Sequence, residues 1–570
     1  MPNYEFFLCS SLEKVFPNRR PPALPAASTL SAWGGTRAAV QLVYRAPDVP
    51  DYMPHQDFRL EITGGPCPCT LRKVELIPSE FPCYGYRDAH YITDQPGLFP
   101  DLLAPYTDAA LLPVPGQYRS LWLSWELPQD VPAGSYPITV QAKAVEEKIL
   151  PNGVPFAKPE AAGLCFTCQF TLRVSHARMP AQRLIHTEWF HADCLANYYG
   201  TETFDERHWQ IIENFIEAAA CRHGVNMLLT PVFTPPLDTA RGGERRTVQL
   251  VDVARQAGVY TFDFAKLRRW AGICRRYGVR YLEMAHFFTQ WGATSAPKVM
   301  AVVDGSFRQL FGWDTCATAP EYAGFLRALL PQLQQVLTEE GYDKAHVYYH
   351  ISDEPSLPQL ASYQAARDLV KDLIPESQII DALSSLDFYK QGIVPHPIPG
   401  TTEIDAFHQE NIPGLWVYYC CAQCVEVPNR FFSMESARNR IMGVLLYLYN
   451  IEGFLHWGYN FYNAKFSLRP IDPYRNTHAD FGYPSGDAFL VYPGPDGQPL
   501  DSLRVEVQDE GLTDLRALQL LESLTDRSFV EELIYQDAPM RPMRFAAYPR
   551  DAQWILDLRE RVATEIDRHI

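Results

Sequence analysis

HVYYHISDEPS, residues 346–356, is the stretch on which the reading of this chain turns. Val347, Tyr348, Tyr349 and Ile351 make a short apolar, β-forming run of the kind that fills a buried strand. The run ends in two adjacent carboxylates, Asp353 and Glu354, and Pro355 then breaks it. In a parallel α/β barrel the reacting groups stand at the C-terminal ends of the strands, which is where this pair falls. Neighbouring strand residues point to opposite faces, so both acids reach one ligand only if the chain ends or bends there. The plainer alternative makes Asp353 a helix cap and Glu354 the partner of a nearby base.

Working outward, seven further runs share this texture: Arg183 to Trp189, Asn226 to Thr230, Tyr281 to His286, Gln378 to Leu383, Glu403 to Phe407, Gly414 to Tyr419 and Gly453 to Gly458. With His346 to Ser352 they number eight. Helical periodicity fills the gaps at Glu206 to Cys221, Phe264 to Tyr277, Pro320 to Glu340, Leu357 to Leu373 and Met434 to Leu448. The alternation predicts a (β/α)8 TIM-like barrel over residues 179–525, with Gly511 to Leu524 as its closing helix. Before it, short alternating runs (Ala38 to Tyr44, Phe58 to Ile62, Ser120 to Leu127, Tyr136 to Ala142, Phe166 to Val174) between Pro, Gly and Asp clusters predict an N-terminal antiparallel β-sandwich over residues 1–178. Residues 526–570 read as a C-terminal helical extension on the barrel, ending in the amphipathic helix Asp551 to Ile570. A chain of 570 residues exceeds the roughly 250–300 that one core serves, so several domains are expected.

The other strand ends are also polar and aromatic. HTEWFHADCLANYY offers Glu188, His191 and Asp193, and LEMAHFFTQWG offers His286, Gln290 and Trp291. GLWVYYCCAQ carries Trp416 and Tyr418, and GFLHWGYNFYN carries Trp457, Tyr459 and Asn460. Any one of these is an ordinary core residue; their shared placement at strand ends suits a pocket that stacks on sugar rings and hydrogen-bonds hydroxyls. Asp487 and Arg504 are candidates for the rim.

In order and spacing, HISDEPS, FHADCLANYY, GFLHWGYNFYN, GDAFLVYPG and EGLTDLRALQLLESL resemble glycoside hydrolase family 123 over about residues 180–525. The resemblance implies a β-N-acetylgalactosaminidase that retains anomeric configuration by substrate assistance, the acetamido oxygen of the sugar attacking its own anomeric carbon. It implies that Asp353 orients the acetamido group and steadies the oxazolinium intermediate, while Glu354 protonates the leaving oxygen and then activates water. The remaining strand-end residues are then substrate-binding. The alternatives are another hexosaminidase, a glycosidase of different sugar specificity, or a non-catalytic carbohydrate-binding protein.

Composition narrows the partners. A net charge of −17 with no long basic run argues against nucleic acid, and no apolar run of some 18 residues suggests a membrane span. The expected partner is an oligosaccharide or glycoconjugate, with self-association possible. The start, MPNYEFFLCSSLEKVF, lacks the basic and apolar regions of a secretion signal, and thirteen cysteines suit a reducing compartment, so a cytoplasmic location is expected. CFTC (Cys165, Cys168) and CAQC (Cys421, Cys424) have a zinc-compatible spacing but lie in different expected domains, so no metal and no cofactor is expected. HExxH, P-loop, GxSxG and dinucleotide motifs are missing.

Overall fold

The computed structural model describes residues 4–25, 27–48, 56–146, 148–149, 155–156 and 163–570. The first three residues of the N-terminal stretch considered for a secretion signal lie outside these.

The N-terminal part holds two facing sheets. The first is antiparallel, in the order Glu5–Ser10, Arg37–Arg45, Arg119–Glu126, Cys69–Ser79, Gly97–Pro105. The second runs Thr29–Gly34, Cys165–Arg178, Gly134–Ala144, Phe58–Thr63, and is mixed because Cys165–Arg178 pairs in parallel with Thr29–Gly34. Alternate residues from both sheets close one core, with Leu42, Leu121, Leu123 and Trp125 facing Ile138, Val140, Phe170 and Leu172.

The expectation of a closed eight-stranded barrel is corrected. Among the described residues the only curled sheet has six parallel strands, in the order Val347–Tyr349, Tyr281–Met284, Met227–Thr230, Ile185–Glu188, Gly453–His456, Trp416–Tyr418. It is a half-barrel. Ile380–Ala382 and His396–Ile398 form a separate two-stranded parallel sheet, tied to the half-barrel by single bridges at Tyr349–Ile379 and Gly400–Tyr418. Strands of three or four residues leave too few ladder bonds to carry one sheet round the whole circuit. The expected strand Glu403 to Phe407 is also wrong: Ile404–Gln409 is a helix, and the strand precedes it at His396–Ile398. Its apolar residues Ile404 and Phe407 are three apart, a helical interval that alternation cannot separate in so short a run.

Two hairpins absent from the sequence reading, Asp252–Gln256 with Val259–Asp263 and Val299–Val303 with Ser306–Phe311, join as a four-stranded sheet beyond the strands Met227–Thr230 and Tyr281–Met284. The helix expected from Gly511 begins at Leu503, capped by Ser502, whose hydroxyl accepts from Val505 N at 3.2 Å. It crosses the helix Met442–Leu448 at a pair of glycines: a Cβ on Gly443 would stand 1.9 Å from Gly511 O. The last helix, Ala552–His569, bridges the two halves, since Ser31 donates to Glu560 at 2.6 Å and Ser175 to Asp567 at 2.5 Å. No described helix is long and apolar enough to cross a membrane.

Candidate active site

At the C-terminal ends of the parallel strands lies a cavity of about 110 Å³ whose wall includes Asp353, Glu354, Trp189, Tyr418, Trp457 and Tyr483. The strand leading to the acid pair stops at Tyr349, earlier than its apolar run suggests. The bend that the two neighbouring acids require comes from Glu354 itself, whose φ of 42° is left-handed. For a residue with a Cβ this conformation costs about 1–2 kcal/mol, and it turns both carboxylates into one cavity. Ser352, whose hydroxyl donates to Thr289 O at 2.9 Å, anchors the turn from below.

Neither acid forms an ion pair among the described residues, and the charge of His350 lowers Asp353 only in part. Burial foremost, then the charge of Glu354, pushes Asp353 well above the usual carboxylate range. Glu354 keeps solvent contact through the mouth, yet protein surrounds it closely enough that desolvation raises it as well. The Tyr418 hydroxyl, donating to its Oε1 at 2.5 Å, works in the opposite direction.

Directly beneath is a buried charge network. Glu283 accepts from Thr187 Oγ1 at 2.6 Å, from the Trp189 indole at 2.8 Å and from His350 Nε2. His350 Nδ1 donates to Asp381 at 2.9 Å, and Tyr363 donates to the other oxygen of Asp381. Burial alone would lower His350, but its hydrogen bonds to Asp381 and Glu283, with their charges, hold it at about 10, an imidazolium. His286 stacks on it at 4.2 Å between ring centroids; burial first and the His350 charge second drive His286 well below its ordinary value. His286, His350 and Asp381 place potential ligand atoms within 4.8 Å of one another. With both His350 nitrogens donating to carboxylates, the imidazolium itself supplies the positive charge in that cluster.

The remaining sequence candidates separate into wall and support. Tyr418, Trp457, His191 and Gln290 line the cavity. His191 accepts from Arg245 at 3.1 Å and donates to Trp457 O at 2.9 Å; burial, then Arg245, hold it at about 3, so the ring is neutral. Asn460 brackets the His191 backbone, accepting at 2.9 Å and donating at 3.1 Å, and Asp193 is clamped by Arg245 at 2.6 and 2.9 Å. Glu188 lies below the cavity, gripped by Arg430 at 2.7 and 2.9 Å and by Gln508 at 2.8 Å. Burial pushes its carboxyl up, but the Arg430 charge and the hydrogen bonds from His186 and Arg430 outweigh it and hold Glu188 far below the usual range. Trp416 is core, and Tyr459 is buried against His223, 3.0 Å from its hydroxyl. Trp291 stands outside the cavity wall, partly exposed and stacked on Trp313. Asp487 is buried under Trp457, whose indole donates to it at 3.0 Å, and Arg504 is paired with Asp101 at 2.9 and 3.0 Å, so neither is at the rim.

Asp238, Tyr483, Phe461, Cys420 and Cys421 also line the cavity, and the sequence reading passed over them as site residues. Asp238 accepts from Tyr483 at 2.6 Å and from Phe466 N at 2.9 Å, and its own N–H reaches Gln290 at 2.7 Å. The one hint was its position in the long loop PVFTPPLDTARGG that follows a strand end. All thirteen cysteines are free thiols, and Cys165 and Cys168, three apart on one strand, point to opposite faces.

The catalytic-domain profile of glycoside hydrolase family 123 matches residues 189–521. The chain belongs to glycoside hydrolase family 123. Both acids, every other residue of the cavity wall and five of the six half-barrel strands fall within the matched span of this family 123 chain; the strand Ile185–Glu188 ends just before it. Its backbone is similar to that of a family 123 glycoside hydrolase from Clostridium perfringens, with a TM-score of 0.70 and 15% identity over 99% of this chain and 97% of the other; that structure was described for glycolipid glycan hydrolysis. A candidate β-galactosidase from Bacteroides fragilis aligns over 86% of this chain and 83% of its own at 9% identity and a TM-score of 0.29. No curated protein sequence matches significantly.

Proposed function

We propose that this family 123 hydrolase releases terminal β-linked N-acetylgalactosamine from a glycoconjugate by a retaining, substrate-assisted mechanism. The observation that carries the reading is the pair Asp353 and Glu354 turned into one cavity, both raised and neither ion-paired among the described residues. A carboxyl raised by desolvation holds its proton to higher pH, which suits Glu354 to the part of general acid. In this reading Glu354 at the solvent-facing mouth protonates the glycosidic oxygen, and water later returns the proton to it. Asp353, deeper, accepts from the acetamido N–H and opposes the positive charge of the oxazolinium. Adjacent acids on one bend approach the sugar from one side, which suits an internal nucleophile better than a carboxylate attacking from the opposite face. Trp189, Trp457 and Tyr418 supply the flat and polar walls that an N-acetyl sugar needs.

The glycolipid glycans associated with the Clostridium protein support a glycoconjugate as substrate. Residues 1–178, 179–525 and 526–570 are then the accessory sandwich, the catalytic part and a helical extension.

The test is a panel of para-nitrophenyl β-GalNAc, β-GlcNAc, β-galactoside and β-glucoside with the wild type and Glu354→Gln. Selective β-GalNAc cleavage that collapses in the variant is the expected result. Cleavage of sugars lacking an acetamido group would rule out obligatory substrate assistance, and silence across the panel would turn the reading toward carbohydrate binding without turnover.

A further inference from the structure

The N-terminal part shows no catalytic pattern in its sequence, yet one of its segments packs against residues next to the cavity wall. The segment FPCYGY, residues 81–86, follows the strand Cys69–Ser79 and lies against the catalytic part, where Ser485 N donates to Phe81 O at 2.9 Å. Tyr84 lies beside Cys421, a residue of the cavity wall, and its hydroxyl lies 3.5 Å from the carbonyl of Gly482, next to the wall residue Tyr483.

From Tyr84 a row of rings runs in both directions. Tyr86 stacks on it with centroids 5.1 Å apart and planes within 5°. On the other side Phe81 meets Tyr84 edge-on at 5.4 Å and Phe481 at 6.1 Å. The two ends of the row are open to solvent, Tyr86 at 63% and Phe481 at 61% exposure. A single exposed aromatic is ordinary on a protein surface, whereas a contiguous row of them beside a cavity marks a place for another molecule to dock.

We infer that Tyr86, held flat by Tyr84, is the stacking platform for the pyranose ring on the leaving-group side of the scissile bond. This inference rests on the glycosidase reading above. Three observations choose a sugar ring as the occupant. The row adjoins the cavity wall at Cys421 and at Gly482, the neighbour of Tyr483. The Tyr86 ring is braced on one side by Tyr84, so a guest meets a fixed plane and costs little side-chain ordering. The surrounding surface mixes aromatic faces with hydroxyls, which suits the C–H face and the hydroxyl edges of a sugar. The N-terminal sandwich thereby becomes a part of the substrate cleft.

The experiment compares kcat/KM for β-linked GalNAc–galactose disaccharides with kcat/KM for methyl β-N-acetylgalactosaminide, whose leaving group has no ring; aryl glycosides are avoided because a nitrophenyl ring would itself stack. The expected result is a five- to tenfold fall in the disaccharide-to-methyl ratio in Tyr86→Ala, carried mainly by KM, with Tyr86→Phe and Tyr86→Trp keeping the wild-type ratio. A ratio within twofold of wild type in Tyr86→Ala, or an equal fall in Tyr86→Phe, would overturn the platform while leaving the glycosidase reading intact. A wild type that cleaves neither substrate would overturn the glycosidase reading and the platform with it. Thermal unfolding of each variant, expected to match wild type because the ring is exposed, separates loss of contact from loss of fold.

Discussion

Glu188 and Glu354 are both acidic residues at the ends of parallel strands, and the protein treats them in opposite ways. Glu188 is wholly buried and saturated by Arg430, Gln508 and His186, so its charge is fixed. Glu354 faces a cavity with one tyrosine hydroxyl for company, in a backbone conformation that costs energy. The difference teaches that position at a strand end selects candidates, while the partners of each group decide the role. A carboxylate with its counter-ion supports the scaffold, and one held without a counter-ion can take up and release a proton.

Four substitutions break or sharpen this contrast. Glu354→Gln should have the largest effect, a fall of about 10²–10⁴ in kcat on substrates with poor leaving groups and a smaller fall on activated aryl glycosides, read by steady-state kinetics; equal loss on both would remove the proton-donor role. Arg430→Met leaves Glu188 buried and charged, so denaturant unfolding should show a loss of about 3–5 kcal/mol. The stability at issue there is present at neutral pH, because a lowered carboxyl loses its contribution only as pH falls below its unfolded value of 4.5 toward its folded one.

Asp353→Asn should lower kcat by about 10²–10³ and raise the melting temperature at pH 7. The sign follows from the raised carboxyl: the folded wild type loses stability as pH climbs from the unfolded value of 3.8 through the folded one, and the amide does not, so the gain in differential scanning calorimetry should vanish near pH 4. A melting temperature that drops at pH 7 would show that the Asp353 charge is compensated. The smallest effect is expected for Tyr418→Phe, which removes the hydrogen bond that lowers Glu354 and so moves the alkaline limb of kcat/KM to higher pH.

Much of the site was legible because local rules govern it. The apolar run Val347 to Ile351, the two acids and Pro355 announce a strand end with paired carboxylates, and seven of the eight expected strands contain an observed one. The failure at Glu403 to Phe407 has a local cause, a five-residue run too short for its period to be read. The failure of barrel closure has a distant one, since the pairing of strands three residues long depends on neighbours far along the chain. Asp238, Tyr483 and the row from Phe81 to Tyr86 were illegible for the same reason: they belong to loops and to the other half of the molecule, and only folding brings the first two into the cavity wall and the row beside it.

The sequence by itself determined the family-bearing motifs, seven of the strands that precede polar ends, and the two acids, because periodicity, proline and the placement of polar groups at strand ends act over a few residues. The tertiary structure alone decided which charges are paired, that Glu354 bends the chain so that both acids share one cavity, that the curled sheet stops at six strands, and that a segment of the sandwich packs beside the cavity wall. Those outcomes depend on contacts between residues hundreds of positions apart, such as Glu188 with Arg430 and Tyr84 with Cys421, whose energies are set by burial and geometry that no local pattern encodes.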